Sequence, residues 1–270
     1  MTSASALGTG KQRLPVLMYH EIGDRSQTGS HLAVTPHAFA EQLACLRDAG
    51  LRTVTAGALP AAVAAGEPLD QTVVLTFDDG YADFHSQALP LLDRHGFTAT
   101  VFVTSGWVQD DGEWPAVRRP GRMLSWGQVA EAAAAGIEIG AHSCQHPQLD
   151  QLPGGRLREE LYASRARLED RVGIPVTGVA YPFGYSNARV RQVARAAGYG
   201  HGYAVRNTTA GTGTDLFAIP RLTVRRSTTL REFAAMVDGH LTPTMVKDRA
   251  LTSGFAVVRR TRALLNGTAR

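Results

Sequence analysis

Apolar runs alternate with amphipathic stretches along this chain, and glycine or proline marks most of the junctions. Residues 14–20 (LPVLMYH), 72–77 (TVVLTF), 98–104 (TATVFVT), 137–141 (IEIGA), 177–181, 201–205 and 217–224 are short and largely apolar, as strands buried on both faces are. Between them, residues 36–49 place Phe39, Leu43 and Leu46 at helical spacing and stop at Gly50. Residues 83–95 read as a helix closed by Gly96. Another helix starts from a capping box of Ser125 with Gln128 and ends at Gly136. Residues 157–172 carry apolar side chains at 157, 161, 168 and 172, an amphipathic helix. Residues 187–197 form a helix ending at Gly198, and 227–237 form one capped by Ser227 or Thr228. Residues 107–122, with Trp114, Pro115 and Pro120, read as irregular.

Strands thus alternate with helices about seven times, which predicts parallel βαβ units. No glycine-rich phosphate loop follows the first strand, so a dinucleotide-binding sheet is disfavoured and a closed or nearly closed α/β barrel is expected. The reading divides the chain into a flexible N-terminus (1–13), one barrel domain (14–240) and a helical C-terminal tail (241–270), with an interaction tail as the alternative for the last part.

Composition narrows this little. A length of 270 residues suits one barrel, and 44% hydrophobic residues supply a core without disulfides or a structural metal, so any metal would serve chemistry. Cys45 and Cys144 are too far apart to suggest a disulfide framework and read as free thiols of a reducing compartment. The N-terminus shows no apolar signal core and no run could cross a bilayer. The expected location is therefore cytoplasmic, a trimmed secreted chain being the alternative. The net charge of +4 comes almost wholly from arginine. The pairs at 118–119, 225–226 and 259–260 read as solvated basic surface, with attraction to an anionic partner as the alternative. No nucleic-acid module is visible. The sequence is silent on oligomeric state.

In α/β barrels chemistry sits at the C-terminal ends of strands. His20, Asp78-Asp79, His142 and Pro182-Phe183-Gly184 all fall there. Asp-Gly alone is a common turn. Two adjacent carboxylates at a buried strand end, however, are costly unless something binds them, and a metal is the simplest partner. One carboxylate can ligate it while the other takes a proton. His142 and His146, four apart in what reads as a helical turn, can face one ion together. An Asp with two His leaves positions open for water and substrate. Cys144, at the intervening position, reads as packing.

Phe77-Asp78-Asp79-Gly80, then His142-Ser143-x-x-His146, then Val179-Ala180-Tyr181-Pro182-Phe183-Gly184 resemble, in order, the three motifs of the polysaccharide deacetylase family (carbohydrate esterase family four). Residues 124–126 through 140–142 also resemble the family's stretch before its second motif. The likeness covers roughly 14–224. It implies a distorted (β/α)7 barrel and hydrolysis of an N-acetyl group on an amino sugar. It also implies one divalent metal, most readily zinc with cobalt or nickel as alternatives. By resemblance Asp78 is the base, and Asp79, His142 and His146 are the metal ligands. The Phe183 N–H is an oxyanion donor. The family's third-motif arginine is replaced by Ala180, and Arg221 is the candidate to stand in for it. The usual C-terminal general-acid histidine motif is missing, and His240 has no such context. Residues 15–20 (PVLMYH) instead resemble a permuted subgroup, which makes His20 the general acid. Tyr81, Trp107, Trp114 and Tyr185, with Arg221, are grouped as substrate contacts. Two other readings stay open: a metal-dependent amidase on a non-sugar amide, and a carbohydrate-binding relative with an inactive site.

Overall fold

The computed structural model describes residues 13–23, 30–65, 67, 69–109, 121–211, 213–250, 259 and 261. Among them, eight parallel strands carry the fold: β1 (Val16–Tyr19), β2 (Arg52–Val54), β3 (Thr72–Phe77), β4 (Thr100–Val103), β5 (Glu138–Ala141), β6 (Gly178–Ala180), β7 (His201–Val205) and β8 (Ile219–Thr223). Seven close a barrel in the order β1-β8-β7-β6-β5-β4-β3, sealed where Val16 through Tyr19 stand opposite Val74 through Phe77. β2 is wedged in. It pairs with the first half of β3, whose second half pairs with β4, and the Thr53 and Thr100 hydroxyls bridge it to the start of β4. The apolar pattern does not announce β2, because its three residues are RTV and none is fully buried.

The first apolar run is split at Pro15. Arg13–Leu14 pairs antiparallel with Ala210–Gly211, and the barrel strand begins only at Val16. Helices cover the outside: α1 (Pro36–Asp48), α2 (Ala58–Ala65), α3 (Leu89–His95), α4 (Trp126–Ala134), α5 (Gly154–Val172), α6 (Ala188–Ala196) and α7 (Leu230–Val237). The Ser125–Gln128 capping box of α4 is present. α7 is capped by Thr229 with Glu232, not by Ser227 or Thr228. The single helix expected over 83–95 is divided. Pro90 lacks an amide to continue the ladder, and the turn before it opens into a π-turn over Phe84–Ala88. Residues 243–250 are helical; residues 251–270 of the expected tail, apart from Arg259 and Thr261, lie outside the described residues, as do 1–12 of the expected N-terminus. No helix among the described residues is long and apolar enough to cross a membrane.

Strand parity sorts the core into two layers. Leu75 and Phe77 of β3 pack outward against Phe84 and the helices, whereas Val74 packs inward with Val16, Phe102, Ala180, Tyr203 and Ile219. Gly140 keeps the interior open for Phe102, since a Cβ there would collide with that ring. Continuing the inward parity towards the C-terminal end gives Thr76 and Asp78 from β3 and Arg221 from β8, so the barrel turns polar at the mouth formed by its strand C-termini. Two of the arginines expected on solvated surface are instead paired: Arg225 with Asp248 and Arg259 with Asp150. Arg118 and Arg119 lie outside the described residues.

Candidate active site

Asp78 extends the β3 ladder, its N–H donating to the Tyr19 carbonyl at 2.9 Å. Its side chain turns inward onto Arg221, which donates from Nη1 to Oδ1 at 2.6 Å and from Nη2 to Oδ2 at 2.7 Å. Arg221 is fully buried. Burial alone would push the Asp78 carboxyl up, but the charge of Arg221, then of His142, together with the two hydrogen bonds, holds it at about 2. A residue following Asp78 in regular strand geometry would point outward. Asp79 does not, because its φ of 74° reverses the chain, and both carboxylates reach the same mouth.

His142 likewise continues β5, its N–H donating to the Val103 carbonyl. Its ring Nδ1 lies 2.8 Å from the Ala180 carbonyl. A carbonyl only accepts, so Nδ1 carries the hydrogen and Nε2 presents its lone pair to the mouth. The segment after it is not the helical turn that the four-residue spacing suggested. Ser143 and His146 have φ of 64° and 56°, and the His146 N–H donates to the Ser143 hydroxyl. The Glu160 carboxylate on α5 accepts from the N–H groups of both Cys144 and Gln145, at 2.9 Å each. Cys144 is buried under this turn and packs, as expected. Glu160 was not singled out from sequence. Its one signal is a carboxylate on the stripe between Leu157 and Leu161, where α5 is otherwise buried.

The result is convergence. Asp79 Oδ1 lies 3.4 Å from His142 Nε2 and 3.3 Å from His146 Nε2, and the three ligand atoms lie within 4.8 Å of one another. Ligands of a tetrahedral ion held at about 2.0–2.1 Å stand roughly 3.3–3.4 Å apart, so the spacing fits. Asp79 Oδ1 is buried without a hydrogen-bond partner, and burial together with the charges of Asp78 and Glu21 raises its carboxyl to about 8. Burial lowers His142, and burial and His142 lower His146 to about 3, so both rings are neutral and able to ligate. A divalent ion binding here would have to displace the Asp79 proton below pH 8. Zinc affinity, titrated against a competing chelator, is expected to weaken about tenfold for each pH unit below 8. A flat profile between pH 6 and 8 contradicts this.

His20 stands at the end of β1, between β3 and β8, and feels the charges of Asp78, Arg221 and His142. Its Nδ1 is buried and unpartnered, and burial lowers the ring to about 4, so it is neutral in the unliganded protein. Phe183 is half-exposed with φ of 59°, its ring 4.6 Å from that of His146. Trp107 stacks on His146 at 5.1 Å, and Tyr185 stacks on Phe183 at 5.7 Å.

Two substrate assignments are corrected. Arg221 has no exposed surface and is committed to Asp78. Tyr81 is buried against Trp107 and Met123 and hydrogen-bonds Asp79, so its hydroxyl is directed at that carboxylate. Trp114 lies outside the described residues. His240 is exposed on the segment after α7.

Residues 65–202, just over half of the chain, match the family model for polysaccharide deacetylase. The Bacillus subtilis protein YxkH is 26% identical over 227 residues, 84% of this chain and 76% of that protein. The poly-beta-1,6-N-acetyl-D-glucosamine N-deacetylase of Escherichia coli K12 is 23% identical over 82% of this chain, which spans only 38% of that protein's length. Among solved structures, the Streptococcus pyogenes deacetylase PplD, in complex with acetate, shares the fold with a TM-score of 0.76 at 24% identity, covering 84% of this chain and 99% of that one.

Proposed function

Because this chain belongs to the polysaccharide deacetylase family, we propose that it hydrolyses an N-acetyl group on an amino sugar, in a metal-dependent reaction, releasing acetate and a free amine. One observation carries the reading: an ionised, arginine-clamped carboxylate stands directly beside a convergent Asp-His-His set that lacks hydrogen-bond partners for its own carboxylate oxygen. The name of the E. coli relative supports an N-acetylglucosamine polymer as the substrate class.

Asp79, His142 and His146 would hold the ion, whose bound form supplies Lewis-acid polarisation of the acetyl group and acidifies a water. Asp78, held by its fork with Arg221 and outside the converging Asp-His-His set, takes the proton of the attacking water. A carboxylate near 2 is ionised at every working pH but is a weak base, so it suits a water that is already acidified. The Phe183 N–H, placed by the left-handed turn, meets the charge growing on the acetyl oxygen. Balance requires one proton to move from the water to the departing nitrogen. His20, neutral before the reaction, carries it there, the role that the resemblance of residues 15–20 to the permuted subgroup implies. Phe183, half-exposed, offers an apolar face to the sugar ring.

The test is acetate and new amine, counted together, from an N-acetylglucosamine oligomer and from an N-acetyl amide lacking a sugar. Equal amounts from the oligomer alone, abolished by chelation and restored by zinc, are expected. Turnover of the sugar-free amide alone would move the reading to the amidase alternative. Acetate release from neither, with zinc bound, would favour the inactive carbohydrate-binding alternative.

A further inference from the structure

Arg259 lies well beyond the stretch that matches the family model, yet its side chain comes back to the catalytic mouth. Its Nε donates to Asp150 Oδ2 at 3.1 Å, and both side chains of this pair are nearly covered, at 13% and 10% exposure. Its guanidinium carbon lies 3.3 Å from the centroid of the Tyr185 ring. Its carbonyl accepts from Gln151 Nε2 at 3.4 Å.

These contacts join two loops. Asp150 and Gln151 belong to the short turn Leu149–Gln151, which follows the His142–His146 segment. Tyr185 ends the turn Pro182–Gly184. From Tyr185 the contacts run inward, to Phe183 at 5.7 Å and from Phe183 to the ring of His146 at 4.6 Å. Phe183 needs outside support. A non-glycine residue with φ of 59° persists only where its surroundings hold it, and Phe183 is half-exposed, so the barrel core does not cover it. The Arg259 guanidinium, over the Tyr185 ring and anchored to Asp150, supplies that support.

We propose that Arg259 is a positioning residue that holds the Pro182–Tyr185 turn, and with it the Phe183 N–H, in place for the reaction. The inference rests on the active-site reading above for its kinetic consequence, but not for its structural one. Removing a whole oxyanion donor costs roughly 10²–10³-fold in kcat, so loosening one is expected to cost about tenfold.

The experiment compares Arg259→Ala, Arg259→Lys, Tyr185→Leu and the Arg259→Ala/Tyr185→Leu pair with the parent. Amide hydrogen exchange at residues 183–185 is followed in metal-free protein, alongside kcat and KM on an N-acetylglucosamine oligomer. Arg259→Ala is expected to speed exchange at the turn and lower kcat about tenfold, with KM and zinc content little changed. Lysine, which keeps the charge but not the plane, should restore only part of the loss. Tyr185→Leu should give a similar loss, and the double variant no more than either single one. Unchanged exchange at 183–185, or strictly additive losses, would overturn the proposal. Faster exchange in Arg259→Ala with a parent that releases no acetate would uphold the grip on the turn and sink the reading of the reaction instead.

Discussion

Asp78→Asn is expected to lower acetate release by about 10²–10⁴-fold, the usual worth of a positioned general base, while leaving zinc bound. The substitution keeps the shape of the side chain and one oxygen to accept from Arg221, sets an amide NH2 where the second acceptor stood, and removes the capacity to take a proton. Metal should stay because the converging ligand atom is Asp79 Oδ1, whereas Asp78 Oδ2 lies 3.8 Å from His142 Nε2 and is committed to Arg221. The variant leaves a buried guanidinium facing a neutral amide, so its thermal midpoint should fall as well. Turnover and folded fraction are therefore measured together. Activity within tenfold of the parent, in folded and metal-loaded protein, would remove Asp78 from the role of base.

Arg221→Met is expected to act through Asp78 in a way that pH exposes. With Arg221 present, Asp78 is held at about 2 in the folded state, below its ordinary value. Its pairing therefore stabilises the protein above the ordinary carboxylate range, and this contribution is lost as pH falls through about 2. Methionine leaves a buried, uncompensated carboxylate. Breaking a buried pair in this way costs about 3–5 kcal/mol at neutral pH. Burial now raises the Asp78 carboxyl above its ordinary value, so the stability deficit should shrink as the pH is lowered and Asp78 gains a proton. In kcat/KM measured at saturating zinc, an acidic limb absent from the parent should enter the weakly acid range, because the base is protonated there. Thermal midpoints and kcat/KM from pH 4 to 9 check both. A variant with parental stability at pH 7, or with no new limb, would contradict the coupling.

Arg221 illustrates what the sequence made legible and what it did not. Residues 72–77 read as a strand buried on both faces, which does not show which side faces inward, and the two carboxylates at its end are the visible anomaly; in the structure Asp78 keeps the inward parity of Thr76. The same parity places Arg221 inside the barrel, but only closure of the ring brings residues from β3 and β8, far apart in sequence, to 2.6 Å. Asp79 is legible as a residue type and not as a geometry. A neighbour of Asp78 in a strand should point away, and the positive φ that turns it back leaves no mark beyond the following glycine. For the histidines the spacing was readable and its cause was not. Left-handed turns at Ser143 and His146, held by the Glu160 carboxylate, do what a helical turn was expected to do. β2 went unseen because three part-exposed residues form no apolar run, and Pro90 split a helix whose amphipathic pattern looked continuous.

The central claim is that Asp79, His142 and His146 form one metal site that the chemistry requires. Elemental analysis of purified protein and of His142→Ala, with acetate release followed on the same samples, tests it most directly. The account predicts about one divalent ion per chain in the parent, lost together with acetate release in the variant. No metal in either protein after exposure to zinc, or acetate release that survives its loss, would contradict it.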